Sequence, residues 1–249
     1  MTSTGQLTAR AFSLLCTIAL ATGAVGASQP THHRAPKSAS VPAVVSHVAA
    51  TPTNRVTSRS SFAQLAPVRI FNINTRRQVT ARLYDSTGRI DEAVAEKLDA
   101  LLCDSRDPDH AQTTTINRRT LQLVYRAAYH FHADQVEVVS AYRKSNRQPE
   151  GIHAQGRAID FKLLGVDAPA LAAYLRTIPR LGVGVYTHPK TRFVHLDVRD
   201  RSFHWLDASP PHRHWRERNI SNKTLTSLDA QYSPSWDWPE GLAPPKSDR

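Results

Sequence analysis

His153 and Asp160 lie six residues apart in the run His153-Ala154-Gln155-Gly156-Arg157-Ala158-Ile159-Asp160, and His195 follows in Phe193-Val194-His195-Leu196-Asp197. Two imidazoles and a carboxylate, brought together by strands, can hold one metal ion. A structural zinc site is closed by four protein ligands, whereas three ligands leave a position open for chemistry. Zinc in such a site activates water near neutral pH and polarises a carbonyl, and a nearby carboxylate can take and return the proton. The chain has 12 histidines, so a single one carries little weight. The combination with Asp160 is what points to a metal.

Strands must position these groups. Side chains alternate along a strand, so Phe193, His195 and Asp197 share one face, and Val194, Leu196 and Val198 the other. The apolar set belongs against helices, which turns His195 and Asp197 towards a cleft. The same parity in 157–163 sends Ile159, Phe161 and Leu163 inward and Ala158, Asp160 and Lys162 outward.

The remaining elements follow from periodicity. Strands are expected at 68–73 and 79–84 around a turn at Asn74-Thr75-Arg76, with a second turn at 85–88. Helical spacing of Ile90, Val94, Leu98, Leu101 and Leu102 predicts a helix over 90–103. A second helix is expected over 117–132, with Asn117 as N-cap, then a strand over 136–143. Asp167 and Pro169 open a third helix over 168–178. The stretches 183–186 and 192–198 form a closing hairpin around the turn at 188–191. Beyond Asp207 the chain is rich in Pro and Trp and reads as an irregular tail, partly wrapped on the domain. The fold class expected is α+β, a small antiparallel sheet with helices packed on one face.

Residues 11–27 carry no charge and end in Val25-Gly26-Ala27 after a short polar start, the pattern of a signal peptide. An uncleaved anchor is the alternative, but 17 residues are marginal for crossing a bilayer of about 30 Å. Residues 28–66 lack acids and periodicity and read as a disordered linker. Four segments are therefore expected: leader 1–27, linker 28–66, catalytic domain 67–207 and tail 208–249. Once the leader is removed, Cys103 is the only cysteine, so no internal disulfide is expected. Its apolar surroundings suit a core filler. The formal charge of +11 and pI near 10.1 favour polyanions. No compact basic helix points to nucleic acid, so an anionic cell envelope or a merely solvated surface remains. A monomer in the periplasm or cell envelope is expected.

The ordered set Ser140-Ala141-Tyr142-Arg143, His153 to Asp160, Gly182-Val183-Gly184-Val185-Tyr186 and Phe193-Val194-His195-Leu196-Asp197 resembles the zinc D-alanyl-D-alanine peptidases of bacterial cell walls. Within them it is most similar to the murein endopeptidase K-like branch. The resemblance runs from about Val68 to Trp205. It implies a Hedgehog/D-Ala-D-Ala-peptidase fold, Zn2+ held by His153, Asp160 and His195, and peptidoglycan peptides as substrate. It also implies that Arg143 binds substrate or stabilises the oxyanion, that Ser140 and Tyr142 shape that loop, and that Gly156 lets the backbone pass close to the metal. Many relatives place a general-base acid three residues before the last ligand, where this chain has Arg192. Asp197 is the next candidate for base, with a second role open: an acceptor that orients a ligand imidazole. His188 and His204 stand behind it. Three functions remain open: a cross-link endopeptidase, a zinc-retaining wall-binding protein without turnover, and a D-Ala-D-Ala carboxypeptidase.

Overall fold

In the computed structural model, residues 61–145, 150–213 and 217–243 are described. Among them, the strands are β1 (Val68–Asn72), β2 (Gln78–Ala81), β3 (Gln135–Ser140), β4 (Ala158–Leu163), β5 (Leu181–Tyr186), β6 (Phe193–Val198), β7 (Phe203–Asp207) and β8 (Glu217–Asn219). The helices are α1 (Glu92–Leu101), α2 (Arg118–His130), α3 (Ala168–Leu175) and α4 (Lys223–Ser227). The expected leader and the linker up to residue 60 lie outside the described residues.

All eight strands join one sheet in the order β2-β1-β3-β4-β6-β5-β7-β8. The expectation of a small antiparallel sheet is corrected here: β1 pairs with β3, and β5 with β7, in parallel. The physical reason is connectivity. Parallel neighbours need a long crossover, and α1 and α2 between β2 and β3 supply one for β3. Local hydrophobic pattern sees hairpins and misses such partners.

The helices form where expected, with tighter ends. Asn117 caps α2 by accepting from the Arg119 amide at 3.0 Å. Asp91 caps α1 by accepting from Val94. Asp167 sits at the N-cap of α3 but makes no side-chain cap bond. Val136, Ile159, Phe161, Val194 and Leu196 of the sheet pack with Leu98, Leu121, Val124 and Leu171 of the helices in one core. Cys103 is buried, as its surroundings suggest.

The tail is more regular than expected. β8 pairs antiparallel with β7, and α4 follows. Farther on, Trp238 packs on Phe62 and Tyr84 with ring centroids 5.6 and 5.1 Å away. Asp237 holds Arg119 of α2 at 2.8 Å. Ordered packing thus begins upstream of Pro67, because the apolar ring of Phe62 is covered by aromatic residues from the far end of the chain.

Candidate metal centre

The parity read from the sequence holds: Ile159, Phe161, Val194 and Leu196 join the helical core, and Asp160 and His195 point to the opposite face. The register places Asp160 directly beside His195 across β4 and β6. His153 comes from the loop before β4. The ligating atoms of His153, Asp160 and His195 all lie within 4.8 Å of one another. All three side chains are largely buried.

The donors suit a metal ion. His153 Nδ1–H donates to the Ala141 carbonyl at 2.6 Å, which turns Nε2 inward as a lone-pair donor. That Nε2 is buried without a hydrogen-bond partner among the described residues and lies 3.6 Å from Asp160 Oδ2. A buried nitrogen left this way is an expensive arrangement unless a cation meets it. Burial holds the His153 pKa down at about 4, against the pull of Asp160, so the ring stays neutral and ready to ligate. For His195, burial also opposes charge, but hydrogen bonds to Asp160 and Asp197 outweigh it and push the pKa up to about 9. Its Nδ1 lies 2.8 Å from Asp160 Oδ1 and its Nε2 3.0 Å from Asp197 Oδ2. Burial works to raise the pKa of Asp160, yet neighbouring His153 and His195 hold it below the ordinary value. The pair Asp160 and His195 therefore favours positive charge between them, whether a proton or a metal cation.

Asp197 is placed differently from the other acids. Its side chain has 0% exposure and it does not line the cavity above the triad. One oxygen accepts from His195 Nε2, and both are engaged by the Arg199 guanidinium. A carboxylate with its lone pairs committed in this way orients an imidazole. Of the two roles expected of Asp197, this placement suits the acceptor that orients a ligand imidazole. Burial raises its pKa, and His195 and Arg199 more than offset that, leaving it low.

A cavity of about 560 Å³ opens over the triad, and its lining includes Ser140, Arg143, Tyr186, Phe193, Trp205, Asp207 and Arg213. Ser140 reaches it through a β-bulge. Val138 pairs with Phe161, but the next pair is Ser140 with Asp160, so one extra residue in β3 swings Ser140 to the site face. Arg143 follows, with its guanidinium 3.9 Å from Asp160 Oδ2 and a side chain 45% exposed. Tyr142 packs against the core and is not among the residues lining the cavity.

Arg192 is exposed, with a φ of 40°, and borders a neighbouring groove. His188 is occupied within its own turn, accepting from the Lys190 amide at 3.2 Å. His204, the other fallback for base, is wholly buried, and strand alternation sets it on the face opposite Trp205. His212 is exposed, and His214 lies outside the described residues. Gly156, with φ 65°, makes a close approach to the Thr115 carbonyl, so it serves the packing of β4 against the 114–116 loop.

Sequence reasoning passed over three features of the site. Arg199 shares the face of Asp197 by the two-residue rule, a signal that was readable. Trp205 packs on His195 with centroids 5.1 Å apart. Gly182 and Gly184 make room for it all: a Cβ at Gly182 collides with Asp197 and Arg199, and one at Gly184 collides with the Trp205 indole. Alternate glycines inside a strand signal close approach, so this too was readable.

A family model described as peptidoglycan L,D-endopeptidase MepK matches residues 60–205. A probable peptidoglycan L,D-endopeptidase MepK of Haemophilus influenzae is 27% identical over 144 residues, 51% of this chain and 72% of that relative. No solved structure matches the chain significantly.

Proposed function

Because the chain belongs to the peptidoglycan L,D-endopeptidase MepK family, we propose that it is an exported zinc peptidase that hydrolyses amide bonds in peptidoglycan cross-links. The observation that carries this reading is the buried, unpartnered Nε2 of His153 facing Asp160 and His195. His153, Asp160 and His195 would hold the ion. When bound, zinc supplies Lewis-acid polarisation of the scissile carbonyl and lowers the pKa of water.

The chain's own groups do the rest. Asp197, itself fixed by Arg199, orients the His195 ring and keeps its Nε2 protonated, leaving Nδ1 to ligate. Arg143 stands at the rim, where its guanidinium can meet a substrate carboxylate or developing oxyanion through charge-assisted hydrogen bonds. Ser140 shapes the wall beside it. Tyr186 and Phe193 stack at 4.3 Å and give the cavity an apolar side that limits water. The fold we propose is the Hedgehog/D-Ala-D-Ala-peptidase type. Export rests on the uncharged stretch 11–27, and among the described residues no helix is long and apolar enough to cross a membrane.

A second reading has support in the same cavity. With Asp197 committed and Arg192 turned away, Asp207 is, among the described residues, the one other carboxylate lining it besides Asp160, and it already accepts from the Ser209 amide. That scarcity of free base favours a zinc-holding peptidoglycan binder with weak turnover. Incubation of the purified chain with cross-linked sacculi decides between them. Soluble peptides whose release stops on chelation and in His195→Ala support the peptidase. Sedimentation with sacculi without release supports the binder, and unchanged release from metal-stripped protein overturns the metal-dependent reading.

A further inference from the structure

We propose that Arg213, in the loop joining β7 and β8, is a carboxylate-binding residue of the cavity, so that the chain takes peptides carrying a free carboxylate on each side of the scissile bond. This deepens the peptidase reading and rests on it for the position of that bond.

The loop begins beyond residue 205, where the family match ends, so the family as such does not account for it. Its described part, up to Arg213, is nevertheless built. Its two ends are tied by the pairs Leu206 with Arg218 and Asp207 with Glu217. The Ser209 amide donates to Asp207 Oδ1 at 2.7 Å, and the Arg213 amide to the Pro210 carbonyl at 3.1 Å. Pro210 and Pro211 fix φ between those bonds. The result brings Arg213 to the wall of the cavity that also contains His153, Asp160 and His195.

Charge then decides what the loop can read. The acids on the wall are already engaged: Asp160 by His195 and Asp207 by Ser209. Arg199 is tied to Asp197. Arg213 is exposed and forms no ion pair among the described residues. In the sheet order, Arg143 follows β3 and Arg213 follows β7, and Asp160 on β4 and His195 on β6 stand between them. A peptide threaded over the triad therefore meets a guanidinium on either side. Guanidinium recognises carboxylate in a planar, two-bond geometry that an amide cannot reproduce.

The test is calorimetric binding to the full, zinc-loaded chain. The ligands are a cross-linked peptide with both carboxylates free and two matched peptides, each amidated at a different one. Arg213 is exposed, so its substitution leaves folding intact. The expected result is that Arg213→Gln lowers the preference for acid over amide about tenfold at one carboxylate, about 1.4 kcal/mol, and that Arg213→Lys retains most of it. A preference identical in the original chain and Arg213→Gln at both carboxylates overturns the subsite. Cleavage is read in parallel. An altered preference without cleavage supports the subsite and contradicts the peptidase, whereas cleavage with an unchanged preference overturns the subsite alone.

Discussion

Replacing Asp197 with Asn separates the two roles that a carboxylate beside His195 can play. The substitution keeps the side-chain volume and an oxygen that can accept from His195 Nε2, now 3.0 Å away. It removes the negative charge and sets an amide against the Arg199 guanidinium. Asp197→Ala is the poorer probe, because removing one partner of a buried ion pair costs about 3–5 kcal/mol and endangers folding. Loss of the partner that orients a ligand imidazole typically weakens metal binding about 10- to 100-fold, or about 1.4–2.7 kcal/mol. The side chain has 0% exposure, so water cannot stand in for it, and the effect belongs in the upper part of that range. The assay is competition for zinc against a chromophoric chelator, together with peptide release at rising zinc. If Asp197 positions His195, affinity falls and saturating zinc restores much of the turnover. Unchanged zinc affinity with turnover lost at every zinc concentration refutes the positioning role and returns Asp197 to the role of base.

Three further outcomes follow from the same geometry. Removing the metal lowers thermal stability, because a ligand at about 1,000 times its Kd contributes about 4 kcal/mol. At about 2–4 °C per kcal/mol in a domain of this size, the expected fall is on the order of 10 °C by calorimetry, and identical melting with and without chelator contradicts the site. Gly184→Ala drives a methyl into the Trp205 indole and costs about 1–3 kcal/mol as overpacking. Urea unfolding followed by tryptophan fluorescence measures it, and an unperturbed midpoint argues against the close approach. The third concerns acid. Burial, with Arg176 nearby, lowers the pKa of His204 to about 4 from 6.5. Between pH 6.5 and 4 the unfolded chain therefore binds the extra proton, and stability falls as pH falls through that window. His204→Gln flattens this limb of the pH–stability curve by up to about 3 kcal/mol, and an unchanged limb shows that His204 is not its source.

Much of the fold was legible because its signals are local. Apolar alternation in 157–163 and 193–198 fixed which face carries Asp160 and His195, and those faces hold in the structure. The cap at Asn117 marks α2. The rest depends on partners far along the chain. The parallel pairing of β1 with β3 requires two helices to intervene. The bulge that turns Ser140 towards Asp160 appears only when β3 is laid against β4. The tail looked irregular from its prolines, yet Glu217–Asn219 finds an edge on β7. Nothing local announces the packing that buries His204.

The family and the three residues proposed as metal ligands were readable in the sequence, since residue type, order and strand parity are properties a chain carries before it folds. Only the tertiary structure shows what surrounds Asp197. Its neighbour His195 was visible two positions away, but the side chain's complete burial and the commitment of both oxygens arise from strands packed together. The same is true of residues 209–213 at the cavity wall. Whether a charged group meets a ligand, a neighbour or water is set by what surrounds it in space, and spacing along the chain does not encode that.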